Sequence, residues 1–126
     1  MSATQHIILL DCDGIAVEDI TWLSVKRSVA HVIAVANHQN KLPFVDDHRI
    51  GWYVPTFQDS ADFFLISELT SLLNQYMVES DVMPHVIIVT RDKPLSRAVD
   101  MIARHKNTRS RCYQSLHQLS ALGGST

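Results

Sequence analysis

The chain has 126 residues, of which 46% are hydrophobic and 19% charged, with four Gly and four Pro. That length is one domain's worth and buries a core without cross-links, and the composition excludes collagen-like, low-complexity and disordered chains. The formal charge of −2 excludes a protein that is basic throughout, yet the charge is uneven: residues 1–90 hold four Lys/Arg against eleven Asp/Glu, and residues 91–126 hold seven against two.

An acidic part joined to a basic part can hold a cation and a polyanion together. The plainer alternative is a solvated helix face and a charged edge strand. The two cysteines, Cys12 and Cys112, form neither a disulfide framework nor a zinc motif. The start, Met1 to His6, has no basic stretch, and the apolar run after it is too short for a signal peptide or a membrane span. The expectation is a reduced, cytoplasmic protein with no membrane partner.

In chain order, Ile7-Ile8-Leu9-Leu10 is apolar without alternation and ends at acids, as suits a central strand of a parallel sheet. Trp22, Val25, Val29, Val32 and Ala36 step by three and four, which predicts a long amphipathic helix. Glu18 and Asp19 stand at its start, where the helix dipole favours negative charge, and Asn37 to Pro43 end it. Ile50 to Val54 is β-rich and Pro55 stops it. A helix is predicted over 60–77, capped by Asp59 or Ser60, with Leu65, Ile66, Leu69, Leu72, Leu73 and Tyr76 as its stripe. Val86 to Val89 is a second buried strand, and Pro94 opens a helix with Leu95, Ala98, Val99 and Ile102 on one face. Ser110 to Tyr113 reads as a short edge strand. Ser115-Leu-His-Gln118 is a capping box for a last short helix closed by Gly123. Alternating strands and helices predict a three-layer α/β/α sandwich with a mostly parallel sheet. One domain spans 1–122, and 123–126 is a flexible tail.

Two apolar strands run straight into acids, as Leu10-Asp11-Cys12-Asp13-Gly14 and as Val89-Thr90-Arg91-Asp92. Ligands of open α/β sheets bind beyond the carboxyl ends of the strands. If these strands are neighbours, Asp11, Asp13 and Asp92 share one edge, and a hard divalent cation relieves their repulsion. The alternative is that Asp92 caps the following helix and Asp13-Gly14 makes a turn. Asp62 falls on the apolar stripe of the 60–77 helix, so its carboxylate aims inward unless it stays wet at the helix start. Glu68 lies on the same helix about 120° away, as a supporting acid at most. The seven histidines show no ligand spacing; His31 and His38 are expected two turns apart on one helix. Cys12, between two acids, is expected to have a raised pKa. Trp52, Tyr53 and Phe57 offer core packing, or a surface for a homodimer or for stacking RNA bases.

With these residues in view, the chain resembles the PIN-like nuclease superfamily, and its NYN branch most. Ile7 to Gly14 is similar to the family's opening strand with its terminal Asp. Asp59-Ser60-Ala61-Asp62-Phe63-Phe64-Leu65-Ile66 is similar to its "(K/N)xADFxL" helix start, and Val86 to Leu95 to its "hhhhT/SxDxxL" strand end. Together these span about residues 6–113. The resemblance implies a PIN-like fold and a metal-dependent endoribonuclease. In it Asp11, Asp62 and Asp92, with help from Asp13, hold Mg²⁺ or Mn²⁺ that activates water for attack on a phosphodiester. Arg91, Lys93 and Arg97 hold the RNA backbone, and Thr90 and Glu68 support the ligands. Two departures, Gly14 where the branch carries Asn and Lys93 where it often carries an acid, leave open an inactive module that binds RNA or a protein partner. Asp11-Cys12-Asp13-Gly14 with Thr90 also resembles the haloacid dehalogenase-type phosphatases, which implies Asp11 as nucleophile and Asp13 as acid/base. That family needs a later lysine and a further strand ending in acids, and no late acidic strand end exists here; its first motif also normally has Thr or Val in place of Ile15.

Overall fold

The computed structural model describes residues 4–55 and 60–122. Its centre is strand β1 (His6–Asp11), whose side chains are buried on both faces. Ile7 and Leu9 enter one core and Ile8 and Leu10 the other. A strand buried twice must be paired on both edges, since unpaired backbone groups in a core are costly. Here β2 (Val29–Ala36) lies on one edge and β6 (His85–Val89) on the other, both parallel to it. Beyond β2 lies the short β5 (Trp52–Tyr53), and beyond β6 lies β7 (Ser110–Tyr113), again parallel. The order β5-β2-β1-β6-β7 makes a five-stranded, wholly parallel sheet.

Helices α2 (Ser60–Glu79) and α3 (Lys93–His105) cover one face. Leu65, Leu69 and Leu73 of α2 and Leu95, Val99 and Ala103 of α3 meet Ile7, Leu9, Ile33, Val35, Val86 and Ile88 there. Each fully buried aliphatic side chain contributes about 1.5–3 kcal/mol of transfer free energy. The other face has no long helix. The four-residue α1 (Thr21–Ser24) and a 3-10 turn at Leu116–Leu119 supply Leu23, Leu116 and Leu119 against Ile8, Leu10, Ala34, Ala36, Ile87 and Val89. The architecture is thus an α/β sandwich on a parallel sheet. No helix of the described residues is long and apolar enough to cross a membrane.

Several expected elements stand where the sequence put them: β1, β6, the edge strand β7, the helices α2 and α3, and the capping box at Ser115 and Gln118. The long helix through Trp22 and Ala36 does not exist. Its first turn is α1, and its remainder is β2. Val25, one of the residues that set the helical spacing, is 71% exposed. From Val29 the run is so rich in apolar residues that a three-four step is met in any conformation, and its β-branched residues fit the pleat. His31 and His38 therefore lie on β2 and beyond its end, not on one helix. Asp19 still serves as an acid at a helix start, accepting from the Thr21 amide at 2.8 Å.

The stretch after β2 forms an antiparallel hairpin, β3 (Phe44–Val45) and β4 (His48–Arg49), that no strand pattern in the sequence announces. Its two-residue turn, Asp46-Asp47, has φ of 51° and 66°, the double left-handed conformation of tight hairpins. Asp59 as helix cap, Phe57 as a stacking residue, Gly123 as helix stop and the tail 123–126 lie outside the described residues.

Candidate functional site

The chain leaves β1 toward β2 and β5 on one side, then crosses to β6 and β7 on the other. The carboxyl ends of β1 and β6 therefore flank the point where strand order reverses, the usual ligand crevice of such sheets. Leu10 pairs with Val89, which puts Asp11 and Thr90 side by side one residue later. The Thr90 hydroxyl, buried with its residue 1% exposed, donates to Asp11 Oδ2 at 2.7 Å and accepts from the Asp92 amide at 3.0 Å. One hydroxyl thus fixes the acid at the end of β1 and the turn that carries the acid after β6.

Burial pushes the Asp11 carboxyl above its usual range, the Thr90 hydrogen bond opposes this, and the charges of Asp13 and Asp92 add to the rise. Asp13 and Asp92 are thus each within electrostatic reach of Asp11. Asp92 also caps α3, its Oδ1 accepting from the Leu95 amide at 3.1 Å, so the alternative role weighed from sequence is realised alongside its place in the cluster.

Asp13 sits in the 3-10 turn Cys12–Gly14 that follows β1. Both its oxygens take the Asn37 amide, at 3.1 and 2.8 Å, and His38 Nδ1 stands 3.7 Å from Oδ1. The Ser60 hydroxyl reaches Asn37 Oδ1 at 3.2 Å and the Pro55 carbonyl at 2.6 Å. The turn after β1, the end of β2 and the start of α2 are tied through Asn37. Asn37 and His38 were missed as site residues. Their signal is nevertheless the one that marked the other two strand ends, an apolar run (Ile33 to Ala36) passing straight into polar side chains.

Asp62 occupies the first turn of α2, half-buried, and makes an interaction of its own. Glu68 is six residues on, about 9 Å of helix rise further from the carboxyl edge. Among the described residues no three His, Cys, Asp or Glu side chains come together closely enough to hold one ion. The donor chemistry fits a hard cation all the same. Mg²⁺ is usually held by one or two carboxylates, keeping its other positions for water and phosphate oxygens, and Asp11 and Asp92 offer such a pair.

The basic residues lie beside these acids. Arg91, Lys93 and Arg97 line an open cleft of about 320 Å³ with Thr90, Asp92 and Gln114. This cleft joins the cation-rich start of α3 to the hydroxyl that holds Asp11. Cys12 is buried, and burial, with Asp11 and Asp13 adding, pushes its thiol up to about 12, as the flanking acids led us to expect. Trp52 and Tyr53 are about half exposed on β5, with Trp52 against Phe64 at 5.5 Å between ring centres. No protein-family model, curated protein or solved structure matches the chain.

Proposed function

We propose that the protein is a metal-dependent endoribonuclease with a PIN-like, three-layer arrangement of its α/β fold. The observation that carries this reading is that Asp11, at the switch point of a parallel sheet, feels the charges of both Asp13 and Asp92, next to a cleft lined by Arg91, Lys93 and Arg97. Carboxylates alone repel an RNA backbone, and cations alone bind it without acting on it. Side by side, they suit a cation that bridges protein and phosphate.

In this reading Asp11 and Asp92 would hold Mg²⁺ or Mn²⁺, with Asp62 of the first turn of α2 as a further ligand. When bound there, the ion would supply the chemistry of water activation and of charge neutralisation at the phosphodiester. The chain's own residues do the rest. Thr90 keeps Asp11 in one orientation through its hydroxyl. Arg91, Lys93 and Arg97 bind the phosphates flanking the scissile one. The Asn37 amide holds Asp13 at the edge of the site, where its charge raises affinity for the ion without direct ligation.

The test is calorimetric titration with Mn²⁺ and Mg²⁺, and RNA cleavage on the same samples, for wild type and Asp92→Asn. We expect micromolar-to-millimolar metal binding in wild type, and loss of both binding and cleavage in the variant. Wild-type protein that neither binds metal nor cuts RNA would sink the enzyme. The second reading, an inactive module that binds RNA through the same cleft, is favoured by the commitment of Asp13 and Asp92 to backbone amides. RNA binding that persists without metal or cleavage would identify it.

A further inference from the structure

The opposite, amino-terminal edge of the sheet carries a second polar cluster that the proposed nuclease site does not use. His6 opens β1 and His85 opens β6, and the two are paired in register. Their rings meet edge to face at 5.8 Å. Arg111 pairs with Ile87, so Arg109, Arg111 and Tyr113 of the adjoining segment share the sheet face of His85 and Ile87. This is the face that lacks a long helix. Where the short 3-10 cover ends, a cavity of about 210 Å³ remains, several times the roughly 30 Å³ share of a liquid water. Ile87 and Leu122 form its apolar side-chain part, and His6, His85, Arg109 and Arg111 its polar part.

No acid among the described residues lines this cavity. Arg109 and Arg111 stand two residues apart, about 7 Å along one strand face, and neither has an ion-pair partner among the described residues. The neighbouring acid Asp100 is taken by Arg104 and by the Ser110 hydroxyl. His6 donates from Nδ1 to the Ser28 carbonyl at 3.2 Å, which leaves Nε2 as its remaining polar atom. Two like charges on one strand face, facing two imidazoles over an apolar floor, are a repulsive arrangement that an anion converts into an attractive one.

We infer that this cavity binds a phosphate monoester dianion, held by Arg109, Arg111, His6 and His85, with its organic part on the floor of Ile87 and Leu122. The inference is independent of the nuclease reading. Burial first, then the charges of His6, Arg109 and Arg111, hold the His85 pKa below its usual value. Asp81 and Lys106 line the adjoining cleft that His85 shares with Arg109, and Tyr113 lines the cavity itself. A bound dianion reverses the sign of that field and draws a proton onto His85.

The experiment is NMR titration of the His6 and His85 ring resonances with inorganic phosphate at constant ionic strength. Sulfate, whose charge does not change over the range, serves as the probe at pH values of about 5.5 and 7.5. We expect saturable shifts, tighter sulfate binding at the lower pH, and about tenfold weaker phosphate binding in Arg111→Ala and in Arg109→Ala. Asp92→Asn should bind phosphate as wild type does. Both arginines are exposed, so these variants keep the fold. Competition by adenosine monophosphate alone identifies a free ester as the ligand. Competition also by a 5′-phosphorylated oligonucleotide identifies a nucleic-acid end, and competition by neither overturns the site. Shifts reproduced by chloride, or unchanged in both arginine variants, overturn it too and leave the arginines as guards of an edge strand.

Discussion

Thr90 is the residue on which the carboxyl edge turns, because one hydroxyl serves both Asp11 and the Asp92 amide. Thr90→Val keeps the shape and removes both hydrogen bonds. We expect a loss of about 1–3 kcal/mol of stability by urea denaturation, the cost of leaving buried groups unsatisfied, and weaker metal binding by the disordered Asp11. Asp11 itself works against the fold. Its pKa is raised in the native state, so the native protein binds protons more tightly than the unfolded chain, and stability falls as pH rises. The favourable contribution of its protonated form is complete below the unfolded value of 3.8 and is lost as pH climbs through the raised native value. In metal-free buffer Asp11→Asn should therefore be more stable than wild type at pH 7 and indistinguishable from it near pH 3, by denaturation across pH. The two thiols should separate cleanly. Exposed Cys112 should react with a thiol reagent in native protein, and Cys12, buried and pushed up to about 12, only after unfolding.

At the scale of elements, the sequence disclosed those whose pattern has a single cause. Ile7 to Leu10 and Val86 to Val89 are too short and too apolar to be anything but buried strands, and each runs into the acids on which the proposed site is built. α3 was legible because its apolar residues recur on one face with Asp92 as cap. β2 was not, because a run apolar on both sides carries no period, and only pairing with β1 decides between helix and strand. The same error hid Asn37 and His38, since a residue at the end of a supposed helix has no claim on a strand-end site. The β3–β4 hairpin was illegible for a different reason: its turn uses Asp46-Asp47 in place of the Asn-Gly signal. Gly51, just after it, has a φ of +105°, and an added Cβ would lie 2.7 Å from the Ala34 carbonyl oxygen and 3.0 Å from Leu42 Cδ2. Backbone of a central strand cannot yield, so Gly51→Ala should cost more than about 1 kcal/mol in thermal or urea unfolding.

At the scale of the whole molecule, the net charges of the two parts of the chain become a spatial fact. Residues from the basic part supply the cations of both the carboxyl-edge cleft and the amino-edge cavity, while the acids of the first part stand at the switch point. RNA held by the carboxyl-edge cleft should bind with a logarithmic salt dependence that weakens by about 0.7 per cation removed, the single-strand value. Lys93→Ala and Arg97→Ala should each lower the slope by that amount in filter-binding measurements over a range of salt. Arg104→Ala, whose guanidinium is paired with Asp100 away from the cleft, should leave it unchanged.

The position of β1 at the middle of the sheet has a further consequence for how the chain is made. During synthesis His6–Asp11 gains β2 only once Val29–Ala36 has followed it. Its other edge and half of each apolar face wait for His85–Val89. Through most of synthesis the nascent chain displays an unpaired, two-sided apolar strand, the element most prone to pair with a stranger. A chaperone that shelters nascent chains has its natural client segment in this strand, and translation arrest before Val89 should yield aggregates where arrest after Tyr113 yields soluble protein.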